Sequence, residues 1–398
     1  MGQIRYLTAG ESHGQGLVGI IEGIPAGLEI DEREIAIELG RRQMGHGRGG
    51  RMKIEKDRAR IFSGVRFGKT LGSPIALIIE NKDWKNWQTK MSVEDVKAAV
   101  KEVTVPRPGH ADFAGAVKYG HRDIRNVLER ASARETAMRV ALGTIARKLL
   151  AQFSIKIVSH VTQIHTAENP FTVSHFGKRD AQLDFSLEEI GRLADKSDVR
   201  CLDPSIEAQM IARIDQAKKD KDTVGGIFEV IALGLPVGLG SHVHWDRKLD
   251  ARVAGAMMSI PAMKGVEIGL GFDAGRRSGS DVHDAIYYGG DPPEYYRSSN
   301  GAGGLEGGIT NGMPLVVRVA MKPISTLMQP LDSVDMANKK KTAAHIERSD
   351  ICAVPAASII GEAVLALVLA EAFLEKFGGD SLQEIAERYE AWKKRLGS

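Results

Sequence analysis

Two histidines stand in short glycine-containing stretches, Gly10-Glu11-Ser12-His13-Gly14 and Arg107-Pro108-Gly109-His110-Ala111-Asp112. Glycine and proline place such histidines on loops, and loops carry function more often than regular elements do. An imidazole titrates near neutral pH, so either ring can give or take a proton there. A hydrogen-bonded structural histidine is the alternative for each. Two such loops, both close to arginines, favour chemistry.

The third constellation is Arg41-Arg42-Gln43-Met44-Gly45-His46-Gly47-Arg48-Gly49-Gly50-Arg51, with four arginines, four glycines and no acid. From Asp31 to Lys69 eleven basic residues stand against six acidic ones. Glycines allow close backbone approach, and guanidinium forks match phosphate and carboxylate groups. The pattern suits an anion with several charged groups; a solvated basic loop or a nucleic-acid contact are the competing readings.

A glycine-rich run from Asn300 to Gly312 precedes an apolar stretch, and Lys322-Pro323-Ile324-Ser325-Thr326 follows it. A phosphate cradle or a packing corner both fit. Neither this run nor Gly64 to Thr70 matches a dinucleotide or P-loop fingerprint. His242 and His244 would share a strand face, but no third ligand is evident, so no metal is expected. Trp84 and Trp87, beside Lys82 and Lys85, read as packing residues rather than a base-stacking platform. Cys352 reads as a small core residue.

The bulk properties narrow the class. The chain has 398 residues, 43% hydrophobic and 26% charged, with a formal net charge of +3. So small an excess argues against a general polyanion binder. The two cysteines, Cys201 and Cys352, form no CxxC pattern, which fits a reducing compartment. No apolar run follows the N-terminal methionine, so a cytoplasmic protein without a secretory signal is expected. The segment from Ile359 to Phe377 carries Glu362, Glu371 and Glu375, which predicts a buried helix rather than a membrane span.

The elements that must position these groups are partly legible. Asp31 with Glu34 predicts a helix to about Gln43, and Ser92 with Asp95 a short helix to about Val103. The stretch from Arg122 to Phe153 reads as one long helix or two. Ser381 with Glu384 opens an amphipathic helix spanning about 381–396. Strands are expected at Pro74 to Glu80, Ile155 to Val161, Ile227 to Ala232 and Leu315 to Met321. The order lacks regular βαβα alternation, so an α+β fold in one large domain is preferred. The polar stretch from Asp180 to Lys221 is expected to be a surface excursion.

Taken in order, the segments resemble the chorismate synthase family nearly end to end. The matching pieces are Thr8 to Gly14, Arg41 to Met52, Ser63 to Arg66 with Gly72 to Pro74, Arg107 to Asp112, and Arg130 to Thr136. Gly240 to His244, Lys264 to Glu267, Asn300 to Gly312, Lys322 to Thr326 and Arg348 to Asp350 follow. The resemblance implies a β-α-β sandwich, helices held between antiparallel sheets, assembled as a homotetramer. It implies reduced FMN as cofactor and anti elimination of phosphate from 5-enolpyruvylshikimate-3-phosphate to give chorismate. It makes His13 and His110 the acid/base pair and Asp350 the third catalytic group. Contacts to FMN would come from Arg130, Ala131, Ser132, Pro261, Ala262, Gly307, Lys322, Pro323, Ile324, Ser325, Thr326 and Arg348. Arg42 and Arg48 match positions assigned to NADPH in the family. By charge they, with Arg51, Arg107 and Arg134, could equally hold the substrate. His46 and Pro261 depart from residues common among relatives, Tyr and Asn, which leaves Pro261 a backbone contact at best. His13 is assigned to the departing phosphate, His110 to the flavin, and Asp350 to the ring proton. No segment of flavin-reductase size is present, so reductant from an external flavin reductase is expected. Neither nucleic acid nor a membrane is expected as a partner.

Overall fold

The computed structural model of the chain describes residues 4–49, 57–96, 100–169, 186, 189–290, 294–347 and 349–396. Largely apolar runs, buried on one face at period two in the two central strands, build the first sheet. It comprises β1 (Arg5–Ala9), β2 (Gly16–Glu22), β3 (Ala59–Ser63) and β4 (Ile75–Glu80), in the order β1-β2-β4-β3 with every pair antiparallel. Leu17 stands opposite Ile79 and Ile21 opposite Ile75, all four fully buried, while Val18 and Ile20 between them face outwards.

The second sheet holds β5 (Lys156–Ile164), β6 (Ala167–Glu168), β7 (Gly226–Leu233), β8 (Met263–Ile268) and β9 (Leu315–Met321), in the order β8-β9-β7-β5-β6, again antiparallel throughout. Its central strands are mostly buried on both faces, and the polar groups they bury include His160 and Glu229, which pair at 3.1 Å. Helices fill the space between the sheets. α1 (Glu32–Gln43), α4 (Thr136–Ala151) and α7 (Val354–Phe377) pack on one another. α4 lies against the first sheet and α7 against the second. One hydrophobic cluster runs through both sheets and these helices. The architecture is α+β, with helices between antiparallel sheets, as the motif resemblance implies.

Close packing of α4 on α7 depends on Gly143, where an added Cβ would sit 2.5 Å from the Cβ of Ala363. The greasy helix α7 tolerates its buried Glu362 because Arg41 donates to both carboxylate oxygens at 2.7 and 3.1 Å. Arg147 donates at 2.9 Å and Ser159 at 2.7 Å. Burial alone would neutralise this acid; the guanidiniums of Arg41, Arg147 and Arg200 outweigh it and keep the carboxyl below its usual range. Among the described residues α7 is the one helix long and apolar enough to cross a membrane, and 89% of its apolar window is buried inside the protein.

Other elements depart from the sequence reading. Asp31 caps α1 through the Arg33 amide, and Ser381 and Glu384 exchange the two hydrogen bonds of a capping box at α8 (Leu382–Leu396), as their spacing predicts. Ser92 accepts from the Glu94 amide, and residues 92–96 form no helix; residues 97–99 lie outside the described set. The stretch from Arg122 to Phe153 is broken into α3 (Arg125–Leu128), a 3-10 turn at Ala133–Glu135 and α4, because Ser132 caps the turn and restarts the chain. Within the expected surface excursion, α5 (Pro204–Lys219) buries Met210, Ile214 and Ala217, so its inner face is core; residues 170–185 are not described. His242 and His244 lie in a loop rather than on a strand, and His244 pairs with Asp246.

Candidate active site

The first-sheet turn, the start of α4, the turn before β8, the end of β9 and the start of α7 meet around a cavity of about 940 Å³. Among the described residues six cationic side chains line it, those of Arg42, Arg48, Arg107, Arg134, Lys264 and Lys322, along with the acids Asp83, Glu129, Glu347 and Asp350. Met258, Ile260, Met321 and Ile360 supply apolar wall. A space with both characters suits a ligand that is flat and apolar in one part and anionic in another.

His13 enters from the turn between β1 and β2. Its Nδ1 lies 2.9 and 3.1 Å from the two Glu129 oxygens, and its backbone amide donates to Glu129 Oε2 at 2.9 Å. Glu129 also accepts from Arg125 at 3.0 Å. An ionised carboxylate only accepts, so Nδ1 carries the hydrogen of this pair, and proton exchange with a ligand falls to Nε2. The ring stacks on Trp87 with centroids 3.8 Å apart, and Trp87 is anchored by its Nε1–H donating to Asp83 at 3.0 Å. Arg130 secures the loop from outside, donating to the carbonyls of Thr8 at 2.8 Å and Gly10 at 3.1 Å.

His110 is held locally. Its Nδ1 lies 2.6 Å from Asp112 Oδ1, the shorter contact, and 3.0 Å from Arg107 Nη2, while Arg107 donates to Asp112 through Nε at 2.8 Å and to Thr326 through Nη1 at 3.0 Å. Asp112 is fully buried at the start of α2 (Asp112–Tyr119). Burial would raise its pKa, but the bonds from His110 and Arg107 overcome that and hold it well below the usual carboxylate range. Gly109 adopts φ +80°, a left-handed turn that brings its carbonyl to Lys322 Nζ.

The arginines divide by partner. Arg134 pairs with Asp57 at 2.9 Å, and Arg48 pairs with Asp350 at 2.9 Å. Asp350 also accepts from the Gly49 amide at 2.6 Å. Arg42 is different: it is buried, and among the described residues its hydrogen bonds go to neutral oxygens, Thr136 Oγ1 and the Ala133 carbonyl. Burial lowers its pKa to about 10, with help from neighbouring Arg48 and Arg134 and against the pull of Asp57 and Asp350, which still leaves it cationic at neutral pH. A buried cation whose hydrogen bonds go to neutral oxygens is a receptive position for a ligand anion.

Ala131, Ser132, Pro261, Ala262 and the whole run from Lys322 to Thr326 line the cavity. Ile260 to Met263 form a tight turn with Met263 N–H bonded to the Ile260 carbonyl at 3.3 Å and Ala262 at φ +71°. Ala262 accepts from the Lys322 amide at 3.0 Å, which fastens this turn to the end of β9. Arg130 and Gly307 do not line the cavity of the single chain. Gly307 sits in the tight hairpin between Leu305 and Thr310. Arg51 and Arg348 lie outside the described residues. His46 pairs with Asp215 at 2.8 Å, away from the cavity. Among the described residues no cluster of three or more His, Cys, Asp or Glu could hold a metal ion.

Sequence reasoning passed over Glu129, Asp112 as a partner of His110, Glu347 and Trp87. Asp112 was legible, since it lies two residues from His110. Glu129 lies 116 positions from His13, and only the fold joins them.

The sequence profile of the chorismate synthase family matches residues 4–374. A chorismate synthase of Geobacter sulfurreducens is 56% identical over 396 residues, covering 98% of each chain. One from Aquifex aeolicus is 55% identical over 398 residues, covering 99% of this chain and 98% of its own. A solved crystal structure of chorismate synthase is 46% identical and superposes with a TM-score of 0.79, covering 99% of this chain and 98% of its own.

Proposed function

The chain belongs to the chorismate synthase family, a family of lyases, and we propose that it eliminates phosphate from 5-enolpyruvylshikimate-3-phosphate to give chorismate with reduced FMN bound beside the substrate. The observation that carries this reading is one cavity holding two histidines, each fixed at Nδ1 by a buried carboxylate, together with the buried cation Arg42, whose hydrogen bonds go to neutral oxygens. A redox-neutral elimination needs those groups: proton donors or acceptors, and fixed positive charge where the leaving oxygen becomes anionic.

The residues present fit a flavin. The volume exceeds what one small acid requires, the Met258–Met263 turn offers an apolar wall with exposed backbone, and Lys322 to Thr326 offer amides, hydroxyls and a cation. Ala131, Ser132, Pro261, Ala262 and Lys322 to Thr326 are the residues that would hold it. Reduced FMN, when bound, would lend electron density to the substrate and recover it.

The chain's own part is binding and proton handling. Arg42, Arg48, Arg107 and Arg134 would grip the substrate's phosphate and carboxylates, and their fixed charge would stabilise the leaving oxygen at a few kcal/mol of barrier for each donor. His13 Nε2 would protonate the departing phosphate. His110, backed by Asp112, would stand on the flavin side as a cation. Asp350, held by Arg48 and the Gly49 amide, would orient the ring proton that leaves. Assembly as a homotetramer and reductant from a separate flavin reductase belong to the same reading, and Arg42 and Arg48 serve the substrate in it rather than NADPH.

The test is an oxygen-free assay of the pure chain with chemically reduced FMN and the enolpyruvyl substrate, following chorismate absorbance. Turnover on the order of 1–100 per second is expected. Absence of product under those conditions refutes the proposal.

A further inference from the structure

Glu347 lies between the two histidine sites and touches neither ring. Its Oε1 is 3.9 Å from Arg125 Nη1, and its Oε2 is 4.0 Å from Arg107 Nη1. Arg125 is bound to Glu129, the carboxylate that holds His13, and Arg107 is bound to Asp112, the carboxylate that holds His110. The groups form one continuous chain, His13, Glu129, Arg125, Glu347, Arg107, Asp112, His110, in which Arg107 also lies 3.0 Å from the His110 ring itself. Glu347 is its midpoint and is three-quarters buried, where charges are weakly screened.

From this juxtaposition we propose that Glu347 is a positioning residue that couples the protonation of His13 to that of His110. The physical basis is charge balance. The two arginines supply two positive charges to a partly dry region, and each is shared between its own histidine's carboxylate and Glu347. Without Glu347 both guanidiniums would act in full on Glu129 and Asp112. Each carboxylate would then be better neutralised and would support an imidazolium less well. Both histidines would shift together, in the same direction.

Among the described residues, the charged or titratable groups facing Glu347 are Arg107 from the loop before α2, Arg125 of α3, and His345 on its own segment at 3.4 Å. Burial opposes ionisation of Glu347, and contacts with His345, Arg107 and Arg125 outweigh it, so the carboxyl stays below its usual range and is charged at neutral pH. At 3.9 and 4.0 Å neither arginine is hydrogen-bonded to it, so removing the charge breaks no short bond between those partners.

The catalytic consequence rests on the proton-transfer reading above; the ring titrations do not, so the two can fail separately. The test is NMR titration of the histidine rings in the full chain, His13 and His110 being assigned from His13→Gln and His110→Gln. In Glu347→Gln both midpoints should fall by about half a unit or more. Asp246→Asn, which removes the partner of the exposed His244, should leave both in place. Glu347→Asp restores the charge at shorter reach and should return both midpoints part of the way. Midpoints unchanged in folded Glu347→Gln, or a shift of one ring alone, overturn the coupling. Should Glu347→Gln unfold, Glu347→Asp decides: displacement of both rings in the same sense supports the inference, and wild-type midpoints or movement of one ring reject it. Where turnover is measurable, both limbs of its pH profile should move with the rings.

Discussion

The His13 and His110 sites solve one problem with different materials. Each presents a carboxylate to Nδ1 and sets an arginine behind that carboxylate. The His110 site is local: Arg107, His110 and Asp112 fall within six residues, and Asp112 is both helix-end acid and ring partner. The His13 site is assembled by the fold: the histidine comes from a β-turn, Glu129 and Arg125 come from α3 and its end, and Trp87 comes from a separate 3-10 turn. A local site tolerates distant change and depends on its own short loop. An assembled site carries an aromatic wall but depends on several contacts at once. Equal chemistry does not require equal construction.

The largest expected effect tests whether the two sites act in one reaction. His13→Ala and His110→Ala should each lower kcat by on the order of a hundredfold or more while the protein stays folded. Near wild-type turnover in either would remove that histidine from the mechanism. Next come the carboxylates. Glu129→Gln and Asp112→Asn should each lower kcat on the order of 10- to 100-fold, as loss of a ring-orienting partner does. Asp112→Asn should in addition destabilise the protein by about 2 kcal/mol or more in denaturant titration, since Arg107 is left buried with a neutral partner. An equal stability loss in both variants would erase the distinction between the two sites.

A smaller effect is specific to the assembled site. Trp87→Ala should lower kcat about tenfold or less by loosening the stacked ring, with Trp87→Phe closer to wild type. NMR of the rings should show the His13 signals displaced and those of His110 unmoved. The smallest effect concerns pH. Asp112 has a folded pKa held below its ordinary value, so the stability it contributes is present above about pH 4 and is lost as pH falls towards the folded value. Between those limits the wild type should lose stability with acidification more steeply than Asp112→Asn, by about 1–2 kcal/mol in total. Parallel curves would show that Asp112 carries no such linkage.

Much of this was legible in the residues themselves. Strand runs such as Leu315 to Met321 and the capping pairs Asp31 with Glu34 and Ser381 with Glu384 carry local signals strong enough to set their elements. Residues 92–96 form no helix where Ser92 with Asp95 suggests a start, because a serine–amide turn and a helix cap begin with the same contact; residues 97–99 lie outside the described set. In the site, the histidines, Arg42, Arg48, Arg107 and Arg134 drew attention through residue type and neighbours. Glu129 could not, since an acid in a helical stretch looks ordinary until the fold sets it against His13; Trp87 stands out beside its lysines but reads as a packing residue until the His13 ring is found stacked on it. Arg130 adds a role that its motif did not announce: besides the ligand contact that the resemblance implies, its guanidinium braces the loop that carries His13.

The comparison stands on the claim that both rings are held through Nδ1, leaving Nε2 to meet the ligand. Nitrogen-15 NMR of the histidine side chains, recorded above the titration midpoints, tests that claim most directly. Neutral His13 and His110 should both carry their hydrogen on Nδ1. A neutral ring protonated on Nε2 at either site would contradict the assignment of that histidine as the group facing the ligand.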